Sequence, residues 1–273
     1  MLVLIIHLAR ATHRLAHVQD LKARLHAVNA QVQGLEPHAP DLELPGLELP
    51  GLELEVRIQD AVDGSALPAH TWQAHVGASL IRPFYPFPLN PGEVGCFLSH
   101  REAWQAFLNS AHETCLILED DADVDTDAFA QTIQMVTQRH CAYTQLPPRK
   151  PRSWPSDRAL SQSSLTALSP PNLGTTGQIL TRQAAEQLLA ATQRFDRPID
   201  TYLQMTWHHG VQIHTLYPCM VQLADGPVTQ TTIQRKKNRS VLTELSRSWR
   251  RTLYRQKIQR LALSQKRKPQ SHI

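Results

Sequence analysis

Leu116–Asp125 reads LILEDDADVD, three apolar residues that run directly into Glu119, Asp120, Asp121, Asp123 and Asp125. Carboxylates this close repel one another, and those beside an apolar run risk desolvation. A solvated acidic turn is the ordinary reading of such a cluster. Here the apolar residues from Thr114 to Leu118 read as a short buried strand, which gives the cluster a fixed origin. Ligands of open α/β sheets bind outside the carboxyl ends of their strands. Residues two apart in an extended chain point the same way, so Glu119, Asp121 and Asp123 would present three carboxylates together. That set suits Mn²⁺ or Mg²⁺ carrying a diphosphate. A calcium EF-hand does not fit. Counted from Asp121, the sixth position is Thr126 and the twelfth Thr132, where Gly and Glu are required.

The sequence on either side alternates strand and helix. Leu2–Ile6 is an apolar strand, followed by a helical pattern to about Val28 with Leu15, Val18, Leu21 and Leu25 on one face. Two copies of Leu-Glu-Leu-Pro-Gly (Leu42–Gly46 and Leu47–Gly51) then mark a surface loop. Glu55–Gln59 reads as a second strand, ending in the turn AVDG (Ala61–Gly64). LNPGEVGCFLSHREAWQAFL opens the best-marked helix, with Asn90 as cap, Pro91 in the first position and Glu93 completing a capping box. Residues 147–172, rich in Pro and Ser, read as a loop. Beyond them come a strand at Gln178–Leu180, a helix capped by Thr181, the helix start PIDTYL (Pro198–Leu203) and the strand Val211–Tyr217. This alternation predicts one α/β domain over residues 1–234.

Residues 235–273 differ from that body. Between Arg235 and Lys268, thirteen Lys/Arg face one acid, Glu244, in a chain whose net charge is +4. Leu242, Leu245, Trp249, Leu253, Ile258 and Leu261 recur mostly at three- and four-residue steps. The pattern predicts a basic amphipathic helix, either lying on an anionic membrane surface or packed on the body. Nucleic acid is not the expected partner, because aromatic residues are few there and no nucleic-acid-binding motif accompanies them. Cys96, Cys115, Cys141 and Cys219 show no CxxC spacing, which points to free thiols in a reducing compartment. The sequence contains no apolar run long enough to predict a membrane span, and the apolar start lacks the preceding basic residues of a secretory signal. There is no GxGxxG after the first strand, no P-loop and no GxSxG.

Three stretches together resemble glycosyltransferase family 25: PGEVGCFLSHREAW (Pro91–Trp104), ILEDDADV (Ile117–Val124), and GTTGQILTRQAAEQLL (Gly174–Leu189) with PID (Pro198–Asp200). IIHLARATHR, AVDG and LYPCMVQ fit the same pattern, in order, over about residues 2–233. The resemblance implies a GT-A-like α/β fold and an inverting transfer of a hexose, galactose above all, from a UDP-sugar with Mn²⁺ or Mg²⁺. The acceptor would be a lipid-linked oligosaccharide of lipopolysaccharide or lipooligosaccharide synthesis. That predicts a peripheral location at the cytoplasmic face of the inner membrane. The metal would be held by Asp121 with Asp123, or by Glu119 with Asp121. Arg10, Asp63, Ser99, His100, Glu119 and Asp120 would contact the nucleotide sugar, and Asp200 would be the base. His7 stands where the family usually has Asn. An N-cap is the competing role for Asp200, and a structural hydrogen bond competes for His100. The competing function is a non-catalytic protein of the same fold that binds membrane or nucleic acid through its basic tail.

Overall fold

The first strand, β1 (Leu2–His7), is buried along its whole length, which requires cover on both faces of the sheet it belongs to. The computed structural model describes residues 1–34, 52–155, 163–229 and 241–266, so the Leu-Glu-Leu-Pro-Gly repeat lies outside the described residues. In chain order the further elements are α1 (Thr12–Gly34), β2 (Glu55–Asp60), α2 (Ala69–His75), α3 (Pro91–Leu108), β3 (Thr114–Glu119) and β4 (Ala122–Val124). They continue with α4 (Phe129–Gln138), β5 (Tyr143–Gln145), β6 (Ser164–Thr166), β7 (Gly177–Thr181), α5 (Arg182–Ala191), α6 (Ile199–Leu203) and α7 (Thr206–His209). β8 (Ile213–Tyr217), β9 (Val221–Leu223), a 3₁₀ turn at Gly226–Thr229 and α8 (Val241–Lys266) complete the described chain.

The central sheet has the order β2-β1-β3-β7-β5-β8-β6, and β4 pairs separately with β9. Alternation along β1 and β3 divides the core. Val3, Ile5, Leu116 and Leu118 face α1 and α4, meeting Val18, Leu21, Leu25 and Ile133. Leu2, Leu4, Cys115 and Ile117 face α3, α5 and α6, meeting Phe97, Trp104, Leu188 and Tyr202. The α/β expectation therefore holds.

The topology positions the site through one detail. β1 pairs in parallel with both β2 and β3, so His7, Asp60 and Glu119 end at the same edge. Three loops emerge there together. α3 approaches that edge with the expected capping box, Asn90 accepting from the Glu93 amide while Glu93 accepts from the Asn90 amide.

Candidate active site

The loop after β2 fits against α3 because two glycines leave room for it. A Cβ at Gly64 would lie 1.7 Å from the Pro91 carbonyl oxygen, and one at Gly95 would lie 2.5 Å from the Val62 carbonyl oxygen. Ser99 completes the join, accepting from the Val62 amide at 2.8 Å and donating to the Gly95 carbonyl at 2.7 Å. Across this turn Arg10 meets Asp63, Nε to Oδ2 at 2.7 Å. The structure thus brings Arg10 and Ser99 to one cavity, which is also lined by His100, Glu119, Asp120 and Asp121, whereas Asp63 reaches it only through its pair with Arg10.

The five carboxylates of the opening stretch have separate environments. Asp120 is buried and committed within the protein: it accepts from His7 Nδ1 at 3.1 Å, from the Leu8 amide at 3.3 Å, and from Arg14. It ties the β1–α1 loop to the end of β3, and the His7 at this position serves that tie. Asp123 is turned away, paired with Arg24 of α1 and bonded to the Val124 amide at 2.8 Å. It does not line the cavity, because two-residue alternation is broken where β3 ends and β4 begins at Ala122. Asp125 accepts from the Asp127 amide at 3.1 Å in an exposed turn. Glu119 and Asp121 remain at the cavity.

Glu119 is fixed by a chain of hydrogen bonds reaching across the sheet. The Tyr143 hydroxyl donates to Gln178 Oε1, whose amide nitrogen donates to His100 Nδ1 at 2.9 Å. That assigns the proton of His100 to Nε2, which donates to Glu119 Oε1 at 3.2 Å. Thr175 donates to the same oxygen at 2.5 Å. Burial opposes the charge on Glu119, but these bonds and the nearby Arg14 prevail and hold its carboxyl below the usual range. Asp121 shows the opposite result. Burial, then the negative Glu119, raise its pKa to about 6 against the pull of Arg14. Its Oδ1 is buried with no hydrogen-bond partner among the described residues, while Oδ2 lies 3.7 Å from Arg14. A buried carboxylate oxygen left open beside a second, ionised carboxylate fits a divalent cation. Cys96, His100 and Glu119 also offer ligand atoms within 4.8 Å of one another. Burial pushes the Cys96 thiol well up, and both nitrogens of His100 are already used, so that set is the weaker match.

A second cavity meets the first at Cys96 and Glu119, and its far wall includes Asp200. Asp200 does not cap its helix. The cap position of α6 is Pro198, and Asp200 Oδ1 accepts from the amide of its neighbour Thr201 at 2.6 Å. Burial, partly offset by the Thr201 bonds, raises its pKa. Part of the remaining wall comes from α8, through Arg251, Tyr254 and Arg255, and part from Tyr85, Phe87 and the 173–176 segment. α8 buries Tyr254, Ile258 and Ala262, one residue per turn, and Tyr254 and Ile258 pack with Met205. This stripe differs from the expected one: Trp249 is 68% exposed, and Leu261 also faces solvent. The side chains of Leu242 and Leu245 lie outside the described residues. Arg197, fully buried, anchors the helix by donating to the Tyr254 hydroxyl at 2.7 Å while paired with Asp196 at 2.7 Å.

Several of these residues were not singled out in the sequence: Arg14, Thr175, Gln178, Arg251, Tyr254 and Arg255. Gln178 alone left a usable signal, as a polar side chain inside the apolar strand GQIL. His13, His208 and His214 take no part in either cavity.

The sequence model of the family described as Glycosyltransferase family 25 (LPS biosynthesis protein) matches residues 1–203. Procollagen galactosyltransferase 2 of Mus musculus is 39% identical over 71 residues, which span 25% of this chain and 11% of that protein. A probable inactive glycosyltransferase 25 family member 3 of Rattus norvegicus is 32% identical over 90 residues, 31% of this chain and 15% of that protein. Among solved structures, S. aureus TarS 1-349 in complex with UDP-GlcNAc matches at 12% identity with a TM-score of 0.45, over 88% of this chain and 61% of that one. A Drosophila galactosyltransferase 7, solved with manganese, UDP-Gal and xylobiose, matches at 10% identity with a TM-score of 0.40, over 90% of this chain and 79% of that one.

Proposed function

The chain belongs to glycosyltransferase family 25, and from that premise we propose that it is an inverting hexosyltransferase using a UDP-sugar, UDP-galactose first among the candidates. The observation that carries this reading is the meeting of two cavities at Cys96 and Glu119, with Arg10, Ser99 and Asp121 in one and Asp200 in the other. A transferase needs a donor and an acceptor to share one reacting centre, and this arrangement supplies one. We assign the first cavity to the nucleotide sugar and the second to the acceptor.

In this reading Asp121, with Glu119 beside it, would hold Mn²⁺ or Mg²⁺. The ion would supply positive charge to the departing diphosphate. The hydrogen-bond chain from Tyr143 through Gln178 and His100 keeps Glu119 ionised and oriented without motion of its own. Asp200 accepts the proton of the acceptor hydroxyl as that oxygen bonds to the anomeric carbon and the bond to UDP breaks. Burial raises its pKa, which makes it a stronger proton acceptor than an exposed carboxylate. Arg10, paired with Asp63 at the cavity mouth, is available to the donor phosphates.

The acceptor we propose is a saccharide of lipopolysaccharide or lipooligosaccharide synthesis, held at the cytoplasmic face of the inner membrane. Support for a membrane contact lies in Phe84 and Leu261, both partly exposed, which share a surface depression with Arg82, Lys257 and Arg260. No helix of the described residues is long and apolar enough to cross a membrane. The test is a screen of UDP-sugars for UDP release, with and without metal and saccharide acceptors. Metal- and acceptor-dependent release from one donor is the expected result. UDP binding without release under any condition would favour the non-catalytic reading.

A further inference from the structure

The acceptor cavity does not end at Asp200. Leu173, Gly174, Thr176, Gln204 and Arg255 also line a third cavity, of about 590 Å³, which opens beside it. Its walls come from the 147–153 segment, the 169–174 segment and α8, three parts of the chain brought together only by folding. Arg149, Lys150, Arg152 and Arg255 line it, with no Asp or Glu among the described lining residues. None of the four is in an ion pair with a described residue. The polarity therefore reverses along one groove. Glu93, Glu119 and Asp200 share the acceptor cavity with Arg251 and Arg255, whereas the outer end carries only cations, with no ion-pair partner among the described residues.

Four like charges facing one concavity repel one another unless a counter-charge joins them. Arginine guanidinium groups present paired donors that match phosphate and carboxylate oxygens, and lysine adds a point charge. The backbone at the junction is open as well, because Gly174 adopts φ +100° with nothing near its missing Cβ. Resting on the transferase reading, we propose that the acceptor is an anionic saccharide, whose phosphate or carboxylate group docks in this basic cleft while its hydroxyl reaches Asp200. The cleft would then select the acceptor by charge at a distance from the reacting atoms, and α8 would contribute to that selection through Arg255.

The test measures binding without turnover. Trehalose is compared with trehalose 6-phosphate, and lactose with sialyllactose, by calorimetry on the full chain with UDP present. The partner variant is Arg149→Gln/Lys150→Gln/Arg152→Gln, whose three side chains are exposed, so the fold does not depend on them. At least one anionic sugar should bind wild type about tenfold more tightly than its neutral counterpart, the scale of one charge-assisted contact. The variant should lose most of that preference, while its thermal midpoint and its affinity for the neutral sugar stay unchanged. Equal binding of neutral and anionic sugars by wild type would overturn the proposal, as would a preference that survives in the variant. Loss of binding to phosphatidylglycerol vesicles in the variant, with no saccharide preference in wild type, would assign the cleft to lipid headgroups instead. A charge preference in a chain that releases no UDP in any screen would leave this cleft standing and remove the transferase reading.

Discussion

Arg197→Met should separate α8 from the rest of the molecule. The guanidinium is fully buried and donates to Asp196 through Nε at 2.7 Å, to the Ile81 carbonyl at 2.6 Å, to the Pro83 carbonyl at 3.2 Å and to the Tyr254 hydroxyl at 2.7 Å. Asp196 in turn accepts from the Leu80 amide at 2.7 Å and the Ile81 amide at 3.2 Å, so one ion pair organises the 80–83 segment, the start of α6 and the middle of α8. Methionine fills much of the volume but leaves Asp196 as a buried, unpaired charge. Breaking a buried pair from one side costs about 3–5 kcal/mol. Tyr254→Phe removes only the contact to α8, a hydrogen bond to a charged group worth about 1.5–3 kcal/mol. The assay is urea denaturation followed by circular dichroism, with trypsin digestion of the native chain in parallel. α8 carries Arg250, Arg251, Arg255, Lys257 and Arg260, so its release creates cleavage sites directly. Both variants should be cut in α8 before any other described helix, and Asp196→Asn combined with Arg197→Met should recover part of the lost stability. An Arg197→Met protein within about 1 kcal/mol of wild type, with α8 still protected, would refute the anchoring role.

Other outcomes follow from the site itself. Asp121→Asn should abolish metal-dependent UDP binding and transfer, read by calorimetry and UDP release. Because the folded-state pKa of Asp121, about 6, lies above its ordinary value of 3.8, its contribution is stabilising below pH 3.8 and is lost as pH rises through 6. The metal-free variant should therefore exceed wild type at pH 8 by up to about 3 kcal/mol, with the gap closing in acid; equal melting curves at every pH would contradict this. Asp200→Asn should lower turnover by about 10²–10⁴-fold with donor affinity retained and no loss of stability at neutral pH, since burial disfavours its charge. Parallel losses of folding and activity would count against its role as base. Gly95→Ala should cost about 1–3 kcal/mol, because its Cβ meets the Val62 carbonyl and the Gly64 amide, both backbone, and the displaced turn should weaken UDP binding through Asp63 and Arg10.

Much of the framework could be read in advance because its signals are local. The apolar run Leu2–Ile6, the capping box at Asn90 and Glu93, and the strand that delivers Glu119 each depend on residues a few positions apart. A loop was expected throughout 147–172, yet β6 forms within it, since Ser164–Thr166 gains its partner from β8 some fifty residues on. The roles of the five carboxylates were likewise beyond the sequence. Alternation grouped Glu119, Asp121 and Asp123, but Arg24 holds Asp123 on the α1 side, and His7 with Arg14 occupies Asp120. Only the packing of α1 and β1 around the end of β3 decides which charges are neutralised and which stay open. The same holds for α8. Its sequence determined a basic helix with an apolar stripe, and both a membrane and the body satisfied that pattern. Arg197, distant in sequence and buried in the fold, supplies the partner for Tyr254 and turns Arg251 and Arg255 toward the acceptor cavity. Composition and periodicity specify which faces need covering; the identity of what covers them is a long-range property, set where the tertiary structure brings complementary groups within hydrogen-bond reach.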